Sequence, residues 1–341
     1  MASAQRLSML HSHKVATAQL LACAAAALAA LPLTGCGSSH PATTATSSTA
    51  PATTPTTQTT SPPGVGKPQV TIGDKNFTEE FVLGQLYYQA LQAQGFPVLI
   101  NQNIGPTEVT MQALRSGQLG MYPEYLDTWN SSVAGYRRSF KRGRAAYLAA
   151  QHYALTHGFE LLDPTPFSDT SAIGVTVAYA DQNRLRTIGD LRKVAQTLTL
   201  GAPPQFQQEA GGLPALQQAY SFTPAAFKAL EIGDQYLALD QSRVQAADVN
   251  TTDGQLTTGN YTVLNDPKRV FGVGNVVPVV SAKVLDAEGP AFAATINRVS
   301  ALLTLTTIRE LNAAVDVAGQ DPPTVDKRCL VDHGLIPATT S

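Results

Sequence analysis

The sequence predicts an α/β protein, because short β-branched segments alternate with helical patterns along most of the chain. Residues 70–72 are the first such strand, and Gly73 begins the turn that ends it. In the helix that follows, apolar residues recur at helical spacing from Phe81 to Leu91, and Gly95 ends that helix. Regular alternation of this kind is typical of sheets that are covered by helices.

Two loops at the ends of strands form the predicted ligand-binding edge. The first helix is expected to have Asn76 or Thr78 as its N-cap, and the second helix is expected to have Thr107. Lys75 lies on the loop after the first strand, and Tyr125 is predicted on the loop after another short strand, which leads into Tyr122-Pro123-Glu124-Tyr125. Because open α/β sheets bind ligands beyond the carboxyl ends of their strands, both residues are candidates for ligand contacts.

The later part of the chain continues the alternation. Further strands are predicted at residues 98–100, 173–177, 198–201 and 276–280. Helices are predicted at residues 136–157, 185–195, 213–220, 234–239, 290–303, 306–315 and 325–333. The α/β pattern therefore extends from residue 70 to residue 333.

The composition excludes some classes of partner. The chain has 341 residues, of which 43% are hydrophobic and 14% charged, enough to bury one or two domains. Its net charge of -2 argues against a polyanionic partner, so nucleic acid binding is not expected. One basic cluster falls in the predicted helix 136–157 and is interpreted as its solvated face. It consists of Arg137, Arg138, Lys141, Arg142 and Arg144.

The first 35 residues are predicted to be an export signal. An uncharged, Ala-rich run follows a weakly basic start and ends in Leu33, Thr34, Gly35 and Cys36. This ending resembles the cleavage site of bacterial lipoprotein signals, which makes Cys36 the expected lipidated first residue of the mature protein. By length alone the run is also compatible with a transmembrane anchor.

A tether is predicted at residues 36–66. Residues 37–66 contain ten Thr, five Ser and five Pro and no charged or aromatic side chain. Such a segment cannot bury enough surface to offset the entropy of ordering it. At about 3 Å per residue it would hold the folded part many tens of Å from a membrane.

Cysteine usage allows no intramolecular disulfide in the mature chain. Cys23 would leave with the signal and Cys36 would carry the lipid, so only Cys329 remains. A single cysteine without an evident histidine partner is interpreted as a small buried hydrophobic residue rather than a catalytic thiol.

Catalytic motifs are absent from the sequence. It contains no HExxH, CxxC or GxSxG motif and no glycine-rich phosphate loop. Glu124, Asp127 and Asp169 are conceivable acid/base groups, but isolated carboxylates are more often caps and surface charges. The protein is therefore not expected to be an enzyme or to carry a cofactor or metal.

Several segments resemble one family of transport proteins, the osmoprotectant-binding proteins of ABC importers, which bind glycine betaine, carnitine and choline. The resemblance is carried by IGDKNFTEEFVLGQL (72–86), QALRSGQLGMYPEYLDTW (112–129), YLALDQSRVQAADVNTTDG (236–254), VLNDPKRVF (263–271) and LNAAVD (311–316). It implies a type II periplasmic-binding-protein fold, with a ligand cleft between two lobes that are joined by two crossover strands. The implied first lobe is residues 67–171 and 275–341, and the implied second lobe is residues 172–274.

The resemblance also implies ligand contacts in the first lobe. Members of this family hold a quaternary ammonium group in a cage of tyrosines, because aromatic faces attract a cation. Tyr125 matches the first cage tyrosine, and Thr128 and Lys75 match contacts to the ligand's carboxylate. Glu80 stands where a glutamine is common. Trp129, which follows Thr128, is expected beside them at the cleft.

The second lobe departs from the family pattern. Ser171, Asn250 and Gly274 replace cage aromatics, and Glu209 replaces an arginine. Each lost aromatic contact is worth about 0.5–2 kcal/mol, so weak betaine binding is expected. Tyr122, Phe167, Tyr179 and Tyr261 are alternative sources of aromatic contacts.

The leading functional hypothesis is a lipid-anchored solute-binding protein on the outer face of the cell membrane. It is expected to be a monomer that closes on a small solute and delivers it to an ABC permease and its ATPase. Two alternatives remain open at this stage. One is a relative that binds an aromatic or polyhydroxylated solute, and the other is an exported enzyme or surface interaction protein on the same fold.

Overall fold

The computed structural model describes residues 61–338. The predicted signal, Cys36 and the tether up to residue 60 lie outside the described residues. Within the described part of the chain, no single helix is long and apolar enough to cross a membrane. Two consecutive segments, Pro290–Leu302 and Leu305–Val317, have the length and apolar composition of a membrane span only when they are taken together. They are bent by 86° relative to each other.

The first lobe is built on a five-stranded sheet in the order β2-β1-β3-β10-β4. Its strands are β1 (Val70–Gly73), β2 (Val98–Asn101), β3 (Met121–Tyr125), β4 (Phe159–Leu161) and β10 (Val276–Ser281). β1 runs parallel to β2 and β3, whereas β10 is antiparallel to β3 and β4. The β-branched run at residues 276–280 therefore lies inside the sheet, between β3 and β4, and its side chains are buried on both faces.

The second lobe is built on a five-stranded sheet in the order β7-β6-β8-β5-β9. Its strands are β5 (Ser171–Thr176), β6 (Thr199–Ala202), β7 (Ala226–Ala229), β8 (Ala246–Asn250) and β9 (Tyr261–Val263). β6 is parallel to β7 and β8, and β5 is antiparallel to β8 and β9. Ser171, which was assigned to the end of the first lobe, is the first residue of β5.

Helices cover both sheets, as the alternation predicts. Those of the first lobe are α1 (Thr78–Ala93), α2 (Thr107–Ser116), α3 (Leu126–Thr128), α4 (Gly143–Thr156), α8 (Ala282–Glu288), α9 (Pro290–Leu302), α10 (Leu305–Asn312) and α11 (Pro322–Asp332). Those of the second lobe are α5 (Val177–Asn183), α6 (Leu213–Tyr220) and α7 (Gln235–Asp240). Residues Trp129–Val133 and Ala313–Val317 are π-helical, and Ile188–Lys193 is a 3-10 helix. The α/β class and the type II binding-protein fold are confirmed.

Two crossover segments join the lobes. The chain leaves the first sheet after β4 and returns from β9 to β10. The crossovers pair with each other through a bridge between Ser168 and Asn275, and the Asp169 amide donates to the Gly274 carbonyl over 3.0 Å. The Gly274 amide in turn donates to Ser168 Oγ over 2.8 Å. This pairing makes the two crossovers one connected strip between the lobes.

Several local predictions are wrong. The N-cap of α1 is Phe77 and that of α2 is Pro106, and neither makes a side-chain capping bond. The helix predicted at 136–157 begins only at Gly143, and the one predicted at 185–195 is the shorter 3-10 helix Ile188–Lys193. By contrast, Gly117 ends α2 in the left-handed conformation, as the sequence indicates.

The last residues of the predicted tether pack against the first lobe. Gly64 is buried, and its amide donates to the Gln94 carbonyl over 3.0 Å. A Cβ at Gly64 would come within 2.1 Å of the Phe96 amide nitrogen. Ordered packing of the chain therefore begins before Lys67, the residue at which it was expected.

Gly274 leaves no room for the aromatic side chain that the resembled family has at this position. A Cβ built there would lie 1.8 Å from the Asp169 carbonyl oxygen. We predict that Gly274→Ala destabilises the protein by about 1–3 kcal/mol, because the two paired crossovers must separate to admit a methyl group. Urea denaturation measures the change.

Gly211→Ala is the matched control for Gly274→Ala. A Cβ at Gly211 meets no atom within 4 Å, so its effect should stay within about 0.5 kcal/mol. Equal unfolding free energies for the two variants would show that the close packing at Gly274 does not constrain the crossovers.

Candidate functional site

A buried lysine organises the loop between β1 and α1. Only 4% of Lys75 is exposed. Its Nζ lies 2.5 Å from Glu124 Oε1, at the end of β3, and 3.6 Å from Glu80 Oε1, in the first turn of α1. The Lys75 amide also donates to Glu80 Oε2 over 3.1 Å. Lys75 is therefore neither a surface lysine nor free to meet a ligand without leaving two carboxylates.

Glu124 accepts four hydrogen bonds in this buried network. Thr107 Oγ1 and the Tyr122 hydroxyl donate to Oε2 over 3.0 and 3.1 Å. Lys75 Nζ and the Tyr125 amide donate to Oε1 over 2.5 and 2.8 Å. Thr107 thus binds a buried carboxylate instead of capping α2, and Glu124 is a structural ion-pair partner rather than a surface charge.

Lys75 faces the carboxyl groups of Glu80 and Glu124, and burial in this network raises the pKa of Glu80. Burial lowers the pKa of Lys75, but the carboxylates of Glu80 and Glu124 outweigh this and raise it above its usual value, so Lys75 stays charged. Burial raises the pKa of Glu80 to about 8, although Lys75 counteracts this. Near neutral pH Glu80 is therefore a neutral acid, which has nearly the shape of the glutamine common in the resembled family.

Tyr125 is the last residue of β3 and not part of a loop, as was predicted, and it is buried beside the same network. Its hydroxyl donates to Glu79 Oε1 over 2.7 Å, and Lys75 Nζ lies 4.7 Å from its ring centroid. Glu79 accepts a second bond, from Asn312 Nδ2, over 2.8 Å. The face of the predicted cage tyrosine is thus already in contact with a cation of the protein itself.

Thr128 and Trp129 follow Tyr125, but only Thr128 is partly exposed. Trp129 is fully buried in the first lobe, where its Nε1 donates to the Ala150 carbonyl over 3.3 Å. Its ring packs edge-on against Tyr153 and Phe159. The expectation that Trp129 lies at the cleft is wrong.

A cavity of about 380 Å³ lies between the lobes, and we call it the cleft cavity. Both lobes contribute an aromatic pair to it. The first lobe provides Tyr136 and Phe140, whose centroids are 5.7 Å apart, and the second-lobe side provides Phe206 and Phe271, 6.3 Å apart. Aromatic faces from two sides are suited to a small organic cation or another apolar group.

Charged side chains complete the cleft cavity. Asp127 and Glu209 contribute negative charge, and Arg137 and Arg138 contribute positive charge. Arg138 also stacks on Phe140, with 4.9 Å from Cζ to the ring centroid. The basic cluster is therefore not the solvated face of a helix, since these two arginines lie on an irregular segment before α4 and line the cavity.

The structure separates the eight predicted ligand residues into different surroundings. Lys75, Glu80 and Tyr125 belong to the buried network, and half-buried Thr128 follows them. Ser171 and Glu209 line the cleft cavity, whereas Asn250 lines a second cavity, also of about 380 Å³. Gly274 is buried against the backbone of Asp169.

The aromatic residues that the cleft cavity uses were missed. Of the proposed alternatives, Tyr122 and Phe167 are core residues with 0% and 1% exposure, while Tyr261 lines a different cavity. Nothing in the sequence relates the pair Tyr136 and Phe140 to the pair Phe206 and Phe271, because only the packing of the two lobes places the pairs around one cavity.

Cys329 is buried, as expected for a small hydrophobic residue. Burial raises the pKa of its thiol to about 11. It does have a histidine neighbour, since His333 Nδ1 lies 3.8 Å from its Sγ, but that nitrogen is also 2.8 Å from the Cys329 carbonyl. The neutral thiol is consistent with a packing role.

Two α/β lobes, joined by two crossovers and enclosing a cavity lined by both, define a solute-binding protein of the type II fold. The chain belongs to the family of substrate-binding domains of ABC-type glycine betaine transport systems, whose model matches residues 68–330. Its relatives in this family are solute-binding proteins of transporters and not enzymes.

Two bacterial relatives illustrate the match. The glycine betaine-binding protein YehZ of Escherichia coli K12 is 30% identical over 287 residues, which cover 78% of this chain and 90% of the relative. The glycine-betaine-binding protein of Pseudomonas aeruginosa PAO1 is 30% identical over 278 residues, with 78% and 88% covered.

Solved structures agree on the fold. A crystal structure of a glycine betaine/carnitine/choline ABC transporter superposes with a TM-score of 0.73 at 22% identity, covering 78% of this chain and 99% of that chain. The structure of apo YehZ from E. coli has a TM-score of 0.68 at 30% identity, with the same coverage.

The neutral state of Glu80 gives a pH prediction. Its pKa rises from 4.5 to about 8 on folding, so the folded protein holds this proton more tightly than the unfolded chain. Protonated Glu80 contributes its full stabilisation of the folded state below pH 4.5. As the pH rises toward 8 this contribution is lost, and the free energy of unfolding falls by up to about 1.4 kcal/mol per pH unit. Glu80→Gln should remove this loss and become the more stable protein at pH 9.

Denaturation midpoints of wild type and Glu80→Gln between pH 4 and 9.5 test this prediction. Subtracting the two curves removes the contribution of the other carboxyl groups. A difference that does not change with pH would mean that folding does not raise the pKa of Glu80.

Proposed function

We propose that this protein captures a quaternary-ammonium solute of the glycine betaine class in the cleft cavity and closes its lobes around it. The observation that carries the proposal is that both lobes line this cavity, each side with an aromatic pair. Rotation about the paired crossovers would change the distance between the two pairs and so couple closure to ligand binding.

The charges of the cleft cavity support a zwitterionic ligand. Aromatic faces and Asp127 favour the ammonium end, and Arg137 and Arg138 can bind a carboxylate. These residues supply the two kinds of contact that the substitutions at Ser171, Asn250, Gly274 and Glu209 remove from the family's usual positions. The contacts are rebuilt from other loops of the same cleft.

Phe140→Leu and Phe271→Leu test this assignment, because each removes one aromatic face and keeps apolar volume. Each variant should bind glycine betaine about two- to thirtyfold more weakly, which corresponds to a cation–π contribution of about 0.5–2 kcal/mol. Isothermal titration calorimetry with glycine betaine, carnitine and choline measures the change. Trp129 fluorescence is a poor readout here, since Trp129 lies in the core.

Tyr88→Leu is the matched control. Tyr88 is a half-buried aromatic on α1 and lines a separate cavity with residues of α11. If all three variants bind betaine as wild type does, the cleft cavity is not the ammonium site. If wild type binds none of the three solutes while an aromatic or polyhydroxylated solute gives heat, the ligand class of the proposal is wrong.

We also propose that the protein acts outside the cytoplasm, as a monomer anchored by lipid at Cys36, and hands its solute to a permease driven by an ATPase. The support is the Leu33-Thr34-Gly35-Cys36 ending of an uncharged run, the polar tether that follows it, and membership of an importer family. A single lipid-modified cysteine with a long spacer keeps the lobes free to move near the membrane.

Cys36→Ser tests the anchor. The variant should lose lipid attachment and either leave the membrane fraction or stay unprocessed, which fractionation and mass spectrometry distinguish from the lipidated wild type. Unchanged processing and membrane association would instead indicate that residues 15–35 form a transmembrane anchor.

A further inference from the structure

Exposed basic side chains of both lobes lie together beside the cleft cavity, and we call this surface the basic face. The first lobe contributes residues at the start of α4, and the second lobe contributes residues between β9 and β10. The two parts are joined, since Lys141 Nζ donates to the Lys268 carbonyl over 2.8 Å and Arg269 Nη1 donates to the Lys141 carbonyl over 2.6 Å. The basic face consists of Lys141, Arg142, Arg144, Lys268 and Arg269, all of which are exposed.

The positive charge of the basic face is not neutralised by the protein. The ion pairs among the described residues all involve other side chains. Asp266, the carboxylate closest in sequence to Lys268, accepts instead from the Val270 and Phe271 amides and from the Tyr220 hydroxyl. A chain with a net charge of -2 therefore carries a concentrated patch of the opposite sign.

The stability of α4 does not account for these basic residues. Arg142 is the N-cap of α4 and makes no side-chain capping bond, Arg144 follows in the first turn, and that turn contains no acidic residue. A helix N-terminus carries partial positive charge and favours anions, so arginines at this end oppose the helix dipole. An anion outside the protein would remove this repulsion.

Two exposed leucines continue from the basic face along α4, and we call them the leucine stripe. Leu148 is 52% exposed and Leu155 is 59% exposed. At 3.6 residues per turn, Arg144, Leu148 and Leu155 fall within about 40° of one another around the helix and span about 16 Å along it. The residues that α4 buries are on its other side, namely Ala146, Ala150 and Ala154.

We infer that the basic face and the leucine stripe dock the folded part of the chain onto an anionic phospholipid bilayer. The basic side chains attract the phosphate headgroups, and the leucines enter the boundary between headgroups and acyl chains. A nucleic acid or another water-soluble polyanion would match the charge but would offer no apolar layer to the leucines. The inference goes beyond the solute site and rests on the proposed function only for the presence of a membrane near the protein, held there by the lipid at Cys36.

Sedimentation with lipid vesicles tests the inference on the full chain carrying Cys36→Ser, which has no lipid of its own. Vesicles of phosphatidylglycerol and phosphatidylcholine in equal parts are compared with vesicles of phosphatidylcholine alone. We expect at least about tenfold tighter binding to the mixed vesicles, because each basic side chain near an anionic surface contributes about fivefold. This preference should decrease as the salt concentration rises.

The comparison of the two vesicles isolates the basic face from the N-terminal segment. If residues 15–35 insert into the bilayer, they bind both kinds of vesicle equally, since the segment is uncharged. Equal binding to the two vesicles, or no binding to either, would overturn the inference.

Arg142→Gln combined with Arg144→Gln locates the electrostatic contact. Loss of two charges should weaken binding to the mixed vesicles about 25-fold. The matched control is Lys327→Gln combined with Arg328→Gln, which removes two exposed charges from α11. If the control weakens binding as much as the arginine variant does, net charge and not the basic face controls binding, and the inference fails.

The control lies on the other side of the first sheet. The core that includes α4 contains Val277 and Val279 of β10, whereas the core that includes α11 contains Val276 and Val280. Because successive residues of a strand point to opposite faces, the two helices cover opposite faces of this sheet.

Leu148→Ala tests the apolar contact. Truncation of a half-exposed leucine that enters the bilayer should weaken binding to the mixed vesicles about three- to tenfold. Leu237→Ala is the control, because Leu237 is 50% exposed on α7 of the second lobe. If Leu148→Ala binds as tightly as Leu237→Ala, the leucine stripe stays outside the bilayer and the inference is wrong.

The outcomes separate this inference from the proposed function. Arg142 and Arg144 do not line the cleft cavity, so the arginine variant should bind glycine betaine as the Cys36→Ser protein does. Vesicle binding without betaine binding supports the inference and contradicts the solute proposal. Betaine binding without a preference for anionic vesicles contradicts the inference alone. If the arginine variant keeps its vesicle binding but no longer associates with the permease in cells, the basic face binds the permease and the inference is overturned.

Discussion

The buried ion pair between Lys75 and Glu124 fixes the part of the first lobe from which the site is built. It joins the turn after β1 to the end of β3, and Glu80 and Thr107 attach the starts of α1 and α2 to the same point. Removing one partner of such a pair typically costs about 3–5 kcal/mol, because the other charge stays buried without compensation. The backbone of the residues that follow Glu124 depends on this network.

Because Lys75 is held by Glu124 and Glu80, it is not available to bind a ligand. A lysine that neutralises Glu124 and lies over the Tyr125 ring cannot also hold a ligand's carboxylate without exposing a buried acid. Among the described residues that line the cleft cavity, the positive charge belongs to Arg137 and Arg138, which makes them the cationic contacts of the proposed site.

Local signals predicted most of the fold and little of the site. Glycine at the end of α2 and the β-branched run in β10 act through their own backbone preferences, so the sequence reveals them directly. Thr107 misled because its hydroxyl can accept from the backbone N–H groups of a helix N-terminus or donate to a carboxylate such as Glu124, and only the folded structure brings Glu124 near. Lys75 and Glu124 are 49 residues apart, and no periodicity connects them.

The first crossover contributes residues to both cavities between the lobes. Asp169 lines the second cavity, the one that Asn250 lines, and Ser171, two residues later, lines the cleft cavity. Between the cavities, the Asp169 amide donates to the Gly274 carbonyl over 3.0 Å, and a Cβ at Gly274 would lie 1.8 Å from the Asp169 carbonyl oxygen. The closure proposed above would therefore have to move the two crossovers together, because separating them breaks this hydrogen bond.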